Sequence, residues 1–280
     1  CIRRNTCDFL RGLRERTLQT LESRIVTRMY FPGERFLVAG TESRDAYILG
    51  RGWANVEIDG CTVREETKGA GDGEPGHDDG RPVAFGTTGL LGIFPVRTSS
   101  VVAMSVCQMR ILHQAVFTTT LRDFHETLDL RGTSSVLQRV NSGADPDGGL
   151  RAVKRCLRGV EIFQKLGCSE GFLDFLAEHL EDRIYVCDQV IIDEKQPCDR
   201  QMYVLRAGTV KVVKEGQVVT KLESGAIFGE LVVLGLSQKR TATIVAAGMC
   251  YAQALCQTMV VRALGYFPAE REKVLKYALL

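Results

Sequence analysis

Residues 227–246 read IFGELVVLGLSQKRTATIVA, and residues 84–103, AFGTTGLLGIFPVRTSSVVA, align with them without a gap. Phe85, Gly86 and Arg97 fall on Phe228, Gly229 and Arg240. Working outward, residues 30–58, YFPGERFLVAGTESRDAYILGRGWANVEI, find a counterpart in residues 185–213, YVCDQVIIDEKQPCDRQMYVLRAGTVKVV. Tyr30 corresponds to Tyr185, and Tyr47 and Gly52 correspond to Tyr203 and Gly208, with one residue inserted after the first tyrosine of the second copy. Matches in the same order along two segments mark an internal repeat, so whatever one copy folds into, the other should fold into as well.

Each copy carries the same pattern. FLRGLRERTLQTLESRI (9–25) and FLDFLAEHLEDRI (172–184) place apolar residues at three- and four-residue steps, the signature of one helical face. YILGRGWANVEI, YVLRAGTVKVV and QVVTKLESGAIF alternate and carry the glycine turns of antiparallel strands. The expected fold is therefore mainly β with flanking helices: two tandem β-barrel or jelly-roll domains, each with N-terminal and C-terminal helices. NSGADPDGG at 141–149 is linker-like, which puts the domains at 1–142 and 150–280. The acidic, glycine-rich stretch 68–82 reads as a surface insertion. It lacks the spaced carboxylates and closing glutamate of a calcium loop.

Composition narrows the function classes. With 36 basic and 34 acidic residues the net charge is +2, too balanced to steer nucleic acid or an anionic membrane, so an anion must be caught by a local site. The 10 cysteines are scattered without a CxxC pair, as expected of a reduced, cytoplasmic protein. No stretch approaches the ~20 apolar residues of a membrane span. His77, His113, His125 and His179 are isolated, so no metal and no other cofactor is expected. GxSxG, Walker and kinase signatures are missing from these 280 residues, and no enzymatic activity is expected of them.

FGEL at 228–231 followed by RTAT at 240–243 resembles the phosphate-binding cassette of cyclic-nucleotide-binding domains, a family that includes kinase regulatory subunits, cyclic-nucleotide-gated channels and bacterial regulators. The residues suit such a ligand. Gly229 lets the backbone approach an anion, and a short helix beginning near Leu231 would turn free N–H groups toward it. Arg240 supplies a planar fork of donors for the ring phosphate, worth about 1.5–3 kcal/mol per charged hydrogen bond. A carboxylate beside a phosphate is useful only if it accepts from a hydroxyl, which gives Glu230 the ribose 2′-OH. A buried Glu–Arg ion pair closing a loop would also place Glu230 and Arg240 together. In the resembling family, threonine at the position of Thr241 accompanies tolerance of cyclic GMP, whereas alanine is commoner in cyclic-AMP-selective subunits.

The first copy departs from the pattern. Gly86, Thr87, Thr88, Arg97 and Thr98 stand at the cassette positions, so the phosphate end is kept and threonine replaces the ribose-binding glutamate. Losing a charged acceptor should cost about 1–3 kcal/mol of affinity, and Pro95 would stiffen the loop. Bacterial relatives end in a DNA-reading helix-turn-helix, but residues 256–280 show two helices broken at Pro268 and no recognition helix. The resemblance implies instead that the last helix, about 269–280, closes over the base, with Leu275, Tyr277 and Leu279 as apolar contacts. The expectation is a sensor: cAMP or cGMP binds in the C-terminal domain, and helices relay it to a protein effector, a kinase or another. The competing expectation is a scaffold that keeps the fold for protein contact or for a different nucleoside-like ligand.

Overall fold

The structure, a computed structural model, describes residues 7–10, 12–69, 82–94, 96–126, 154–195 and 199–278. The chain divides into two compact units, Cys1–Leu130 and Arg131–Leu280. The 141–149 segment, Pro95, Leu279 and residues 70–81 of the glycine-rich stretch lie outside the described residues.

The first unit runs through a 3-10 turn at Asp8–Leu10, then α1 (Glu15–Arg24), β1 (Val26–Tyr30), β2 (Arg35–Leu37), β3 (Ala46–Ile58), β4 (Cys61–Lys68) and β5 (Val83–Phe85). It continues with α2 (Thr87–Leu90), β6 (Ser100–Ala103), β7 (Cys107–Leu112) and α3 (Gln114–Asp123). The long strand β3 serves two antiparallel layers. Its first half pairs with β5 and β7 and its second half with β4 and β6. Strands β1 and β2 add to β7 and β6 respectively. The residues that alternate inward on these strands, among them Tyr30, Phe36, Leu49, Val56, Phe85, Val101 and Met109, form one buried cluster between the layers.

The second unit begins its described part with helical residues 154–158, then α4 (Glu161–Leu166), α5 (Glu170–Glu178), β8 (Glu181–Tyr185), β9 (Val190–Ile192), β10 (Gln201–Ala207), β11 (Thr209–Lys214) and β12 (Gln217–Glu223). It ends with β13 (Ile227–Phe228), α6 (Glu230–Val233), β14 (Thr243–Ala246), β15 (Cys250–Cys256), α7 (Gln257–Tyr266) and α8 (Pro268–Ala278). Here the layers are two separate four-stranded sheets, β13-β10-β15-β8 and β12-β11-β14-β9. Tyr185, Ile191, Leu205, Val210, Phe228 and Ile244 fill the core between them. The chain is thus mainly β, with antiparallel sheets and several helices.

Two local expectations change. Residues 9–25 do not form one helix, because Gly12 takes φ 91° and separates the 3-10 turn from α1. In residues 172–184 the helix stops at Glu178, and Glu181–Tyr185 is a strand paired with β15 from Ala254 to Cys250. Strand geometry puts Glu181 and Arg183 on one face, where they bond at 2.6 Å. Sheet pairing overrides the helical spacing that the sequence carries through this segment.

Candidate functional site

In the second unit β13 delivers the chain to Gly229, which has φ 86° and begins α6. A Cβ at this position would lie 2.5 Å from Nη1 of Arg240 and 2.8 Å from the Gln201 carbonyl, so glycine is required by backbone conformation and by space alike. α6 starts at Glu230, one residue earlier than expected. After α6 the chain turns back, with Leu236 and Ser237 both donating to the Leu231 carbonyl. That reversal brings Arg240 under the start of the helix.

Arg240 is buried. Its Nη1 donates to the Gly229 carbonyl at 3.3 Å, and its Nη2 donates to the Gln201 carbonyl at 2.6 Å. Nη2 also forms an ion pair with Asp199. Its buried Nε–H has no acceptor. Asp199 in turn accepts from the Tyr203 hydroxyl at 2.7 Å, and the same hydroxyl lies 3.1 Å from Oε1 of Gln201. Burial, together with the neighbouring Tyr185, holds the Tyr203 phenol well above its ordinary pKa, so it stays a neutral donor to Asp199.

Glu230 takes a different direction. It lines a cavity of about 550 Å³ with Arg155, Val160, Glu161, Gly225 and Ile227. Glu230 and Arg240 therefore meet at Gly229 but form no ion pair. The carboxylate that neutralises Arg240 is Asp199, which the sequence reading did not single out. Its only sequence signal was a position four residues before the repeated tyrosine, where the first copy has Ser43. Leu231 and Thr241 are exposed on either side.

The first unit repeats this construction. Gly86 has φ 75° and precedes α2, and a Cβ there would lie 2.5 Å from Nη1 of Arg97. Nη1 of Arg97 donates to the Gly86 carbonyl at 2.8 Å, and Nη2 donates to the Asp45 carbonyl at 2.5 Å. Gly86 and Asp45 align with Gly229 and Gln201. In place of Asp199, Nη2 meets the Ser43 hydroxyl at 3.0 Å. Arg97 Nε is likewise buried and without a partner. Burial lowers the Arg97 pKa, opposed by Tyr47 and Asp45 nearby. Thr87 and Thr88 are half-buried in α2, and Thr98 is exposed.

The terminal helix is docked by two of its polar residues. The buried Glu270 accepts from the Ser169 amide at 3.0 Å, and Lys273 donates to the Gly167 carbonyl at 2.6 Å, fastening α8 to the α4–α5 turn. Of the residues expected to cap a base, Leu275 is 54% exposed, Tyr277 lies within α8, and Leu279 is outside the described residues. Among the described residues, no group of three or more His, Cys, Asp or Glu side chains converges on a metal position. Among them too, no helix is long and apolar enough to cross a membrane.

A search of family models matches the cyclic nucleotide-binding domain to residues 182–257. These residues belong to the cyclic nucleotide-binding domain family. The matched domain runs from β8 to the first residue of α7, so Gly229, Glu230, Leu231, Arg240, Thr241 and the supporting Asp199 all lie inside it. The chain is 28% identical over 124 residues to the cyclic nucleotide-gated channel beta-3 of Mus musculus, and 30% identical over 126 residues to a cyclic nucleotide-gated channel of Caenorhabditis elegans. Each alignment takes in 42% of this chain and spans only 17% of the channel's length. Among solved structures, the regulatory domain of Toxoplasma gondii PKA with cAMP is 18% identical. That comparison has a TM-score of 0.37 and covers 98% of this chain and 94% of that one. A cyclic nucleotide-binding-like protein from Brucella abortus is 22% identical, with a TM-score of 0.36 over 40% of this chain and 97% of its own.

Proposed function

We propose that the second unit is a sensor of a cyclic purine nucleotide, cAMP or cGMP, within a tandem pair of domains at 1–142 and 150–280. The observation that carries this reading is the cassette around Gly229: Glu230 lines the cavity, and the buried Arg240, bonded to the carbonyl of the same glycine, keeps an unmet donor. The ring phosphate would accept from Arg240 Nε–H and from the backbone at Gly229 and Leu231, replacing a buried unsatisfied group with a charged hydrogen bond. Glu230 would accept from the ribose 2′-OH, and the exposed Thr241 would meet a guanine edge.

The relay follows from what lines the cavity. Arg155, Cys156, Gly159, Val160 and Glu161, immediately before and at the start of α4, share it with Glu230. A ligand that draws Glu230 inward would shift their packing, and with it the α4–α5 turn to which Glu270 and Lys273 fasten α8. Release of α8 would let Leu275 and Tyr277 move toward the base. Ligand moves this equilibrium only by its differential affinity for the two arrangements, so a protein effector must read the helices. The role assigned is binding and signalling, with no catalytic residue and no cofactor.

Thermal unfolding of the chain with cAMP, cGMP, adenosine and guanosine tests the reading. Ligand at about 100 times its Kd should add about 2.7 kcal/mol of stability. The expected result is an upward shift with a cyclic nucleotide that the nucleosides do not reproduce. No shift with either cyclic nucleotide would favour the scaffold reading, and a shift with nucleosides alone would favour a different nucleoside-like ligand.

A further inference from the structure

We infer that Glu181, Arg183 and Tyr203 are positioning residues for Arg240: with Asp199 they form two ion pairs joined by one hydroxyl, a chain that fixes the Arg240 guanidinium and ties it to the first residues of β8. Arg183 donates to Glu181 Oε2 from Nε at 3.1 Å and from Nη2 at 2.6 Å, and its Nη1 reaches the Tyr203 hydroxyl at 3.4 Å. That hydroxyl donates to Asp199 Oδ2 at 2.7 Å, and the other carboxylate oxygen of Asp199 pairs with Nη2 of Arg240. Glu181 and Tyr203 are buried. Charges held this far from water depend on their partners, so a change at one ion pair is felt at the other through the hydroxyl they share. With Nη2 held by Asp199 and by the Gln201 carbonyl, the unmet Nε–H of Arg240 keeps a fixed direction.

The sheet is built to let this chain of bonds pass. Strand pairing sets Glu181, Ala254, Tyr203 and Phe228 in one row across β8, β15, β10 and β13, and Arg183, Ala252 and Leu205 in the next row on the same face. On β15, between β8 and β10, only the methyl groups of two buried alanines stand in these rows, which leaves the room Arg183 uses to reach Tyr203. The first unit keeps the arginine and the tyrosine and lacks the rest. Arg28 and Tyr47 align with Arg183 and Tyr203, but Val26 stands at the place of Glu181, Ser43 at that of Asp199, and the buried Met109 and Ile111 at those of Ala252 and Ala254. There Arg28 lies over the Tyr30 ring instead, 4.9 Å from its centroid. Both carboxylates and both small residues occur together in one copy and are replaced together in the other, as parts of a single device would be.

The consequence for binding rests on the proposed function, in which the ring phosphate meets that Nε–H; the positioning itself does not, and the two are tested apart. The intact chain is compared with Tyr203→Phe, which removes the joining hydroxyl but keeps a ring to stack on Phe228, 5.5 Å away, and with Glu181→Gln. Without ligand, heteronuclear NMR follows the Arg240 Nε–H signal, identified by its loss in Arg240→Lys. Its exchange with solvent should speed up at least about tenfold in either variant. Binding is then measured with whichever of cAMP and cGMP the unmodified chain takes. Glu181→Gln should raise Kd about threefold or more while Tyr203 is present, and should leave Kd unchanged in the Tyr203→Phe background, because the hydroxyl is the joint. A purely structural role for Glu181 would give the same loss in both backgrounds, and that result would overturn the inference. Should Glu181→Gln fail to fold, Tyr203→Phe decides alone: Nε–H exchange as slow as in the unmodified chain would overturn the inference as well. If neither nucleotide binds while Nε–H exchange speeds up, the proposed function fails and the positioning role stands.

Discussion

Arg97 and Arg240 occupy equivalent places in two cassettes and make equivalent bonds to the carbonyls of Gly86 and Gly229 and of Asp45 and Gln201, but they are neutralised differently. In the second unit Asp199 completes an ion pair that the buried Tyr203 hydroxyl holds in place. In the first, Ser43 provides only a hydroxyl. The second contrast is Glu230 against Thr87. The backbone frame is thus common to both units, and two side-chain positions decide the chemistry. One sets the charge balance beneath the arginine, and the other, on the proposed reading, sets what the site can ask of a sugar.

Exchanging Glu230, the residue proposed to meet the sugar, should have the larger effect. Glu230→Thr makes the second cassette resemble the first, and its affinity for cAMP or cGMP should fall by about 10- to 100-fold, or about 1–3 kcal/mol. Its affinity for a 2′-deoxy ligand should barely change. Competition binding with paired ribo- and 2′-deoxy-nucleotides measures both, and an equal loss for the two ligands would remove Glu230 from ribose recognition.

Asp199→Ser tests the charge balance. Arg240 would be left buried without its carboxylate, and unfolding free energy should drop by about 1–3 kcal/mol. The loss should shrink when cyclic nucleotide is bound, because the phosphate then neutralises the arginine. Ser43→Asp should act in the opposite sense on the first unit, raising its stability by giving Arg97 a carboxylate at the place of the Ser43 hydroxyl. Denaturant unfolding with and without ligand reads both variants. A loss unaffected by ligand would mean that Asp199 and phosphate do not share Arg240.

An effect confined to alkaline pH, and so absent at neutral pH, concerns the turn on which the terminal helix docks. Burial, with Glu270 beside it, pushes the Cys168 thiol up to about 12 from an ordinary value near 9. The folded chain therefore keeps a proton that the unfolded chain releases above pH 9. This contribution to stability is intact below pH 9 and is lost as pH rises from 9 toward 12. Cys168→Ala should flatten that part of the stability profile, measured by thermal unfolding across the window. An unchanged slope would mean that burial does not hold the Cys168 thiol protonated in the folded chain.

Much of this was readable in the chain because it depends on residue type at fixed spacing. The repeated Phe-Gly and the arginine eleven residues after each glycine mark both cassettes, and the matching tyrosines mark both cores. Other features were not readable, because they depend on which distant backbone a side chain reaches. Asp199 lies 41 residues before Arg240, with nothing local to connect the two. Glu181–Tyr185 follows a helical spacing and becomes a strand only because β15 is available to pair with it. The sequence also allowed a Glu230–Arg240 ion pair, and only the fold shows Arg240 paired with Asp199 while Glu230 lines the cavity.

Calorimetric titration of the intact chain with cAMP and with cGMP, repeated on Arg240→Ala, tests the central claim most directly. The expected result is a saturable site for at least one of them, weakened at least about 100-fold by the substitution while the variant still unfolds cooperatively. Undiminished binding by a folded Arg240→Ala chain, or no binding by the unmodified chain, would contradict it.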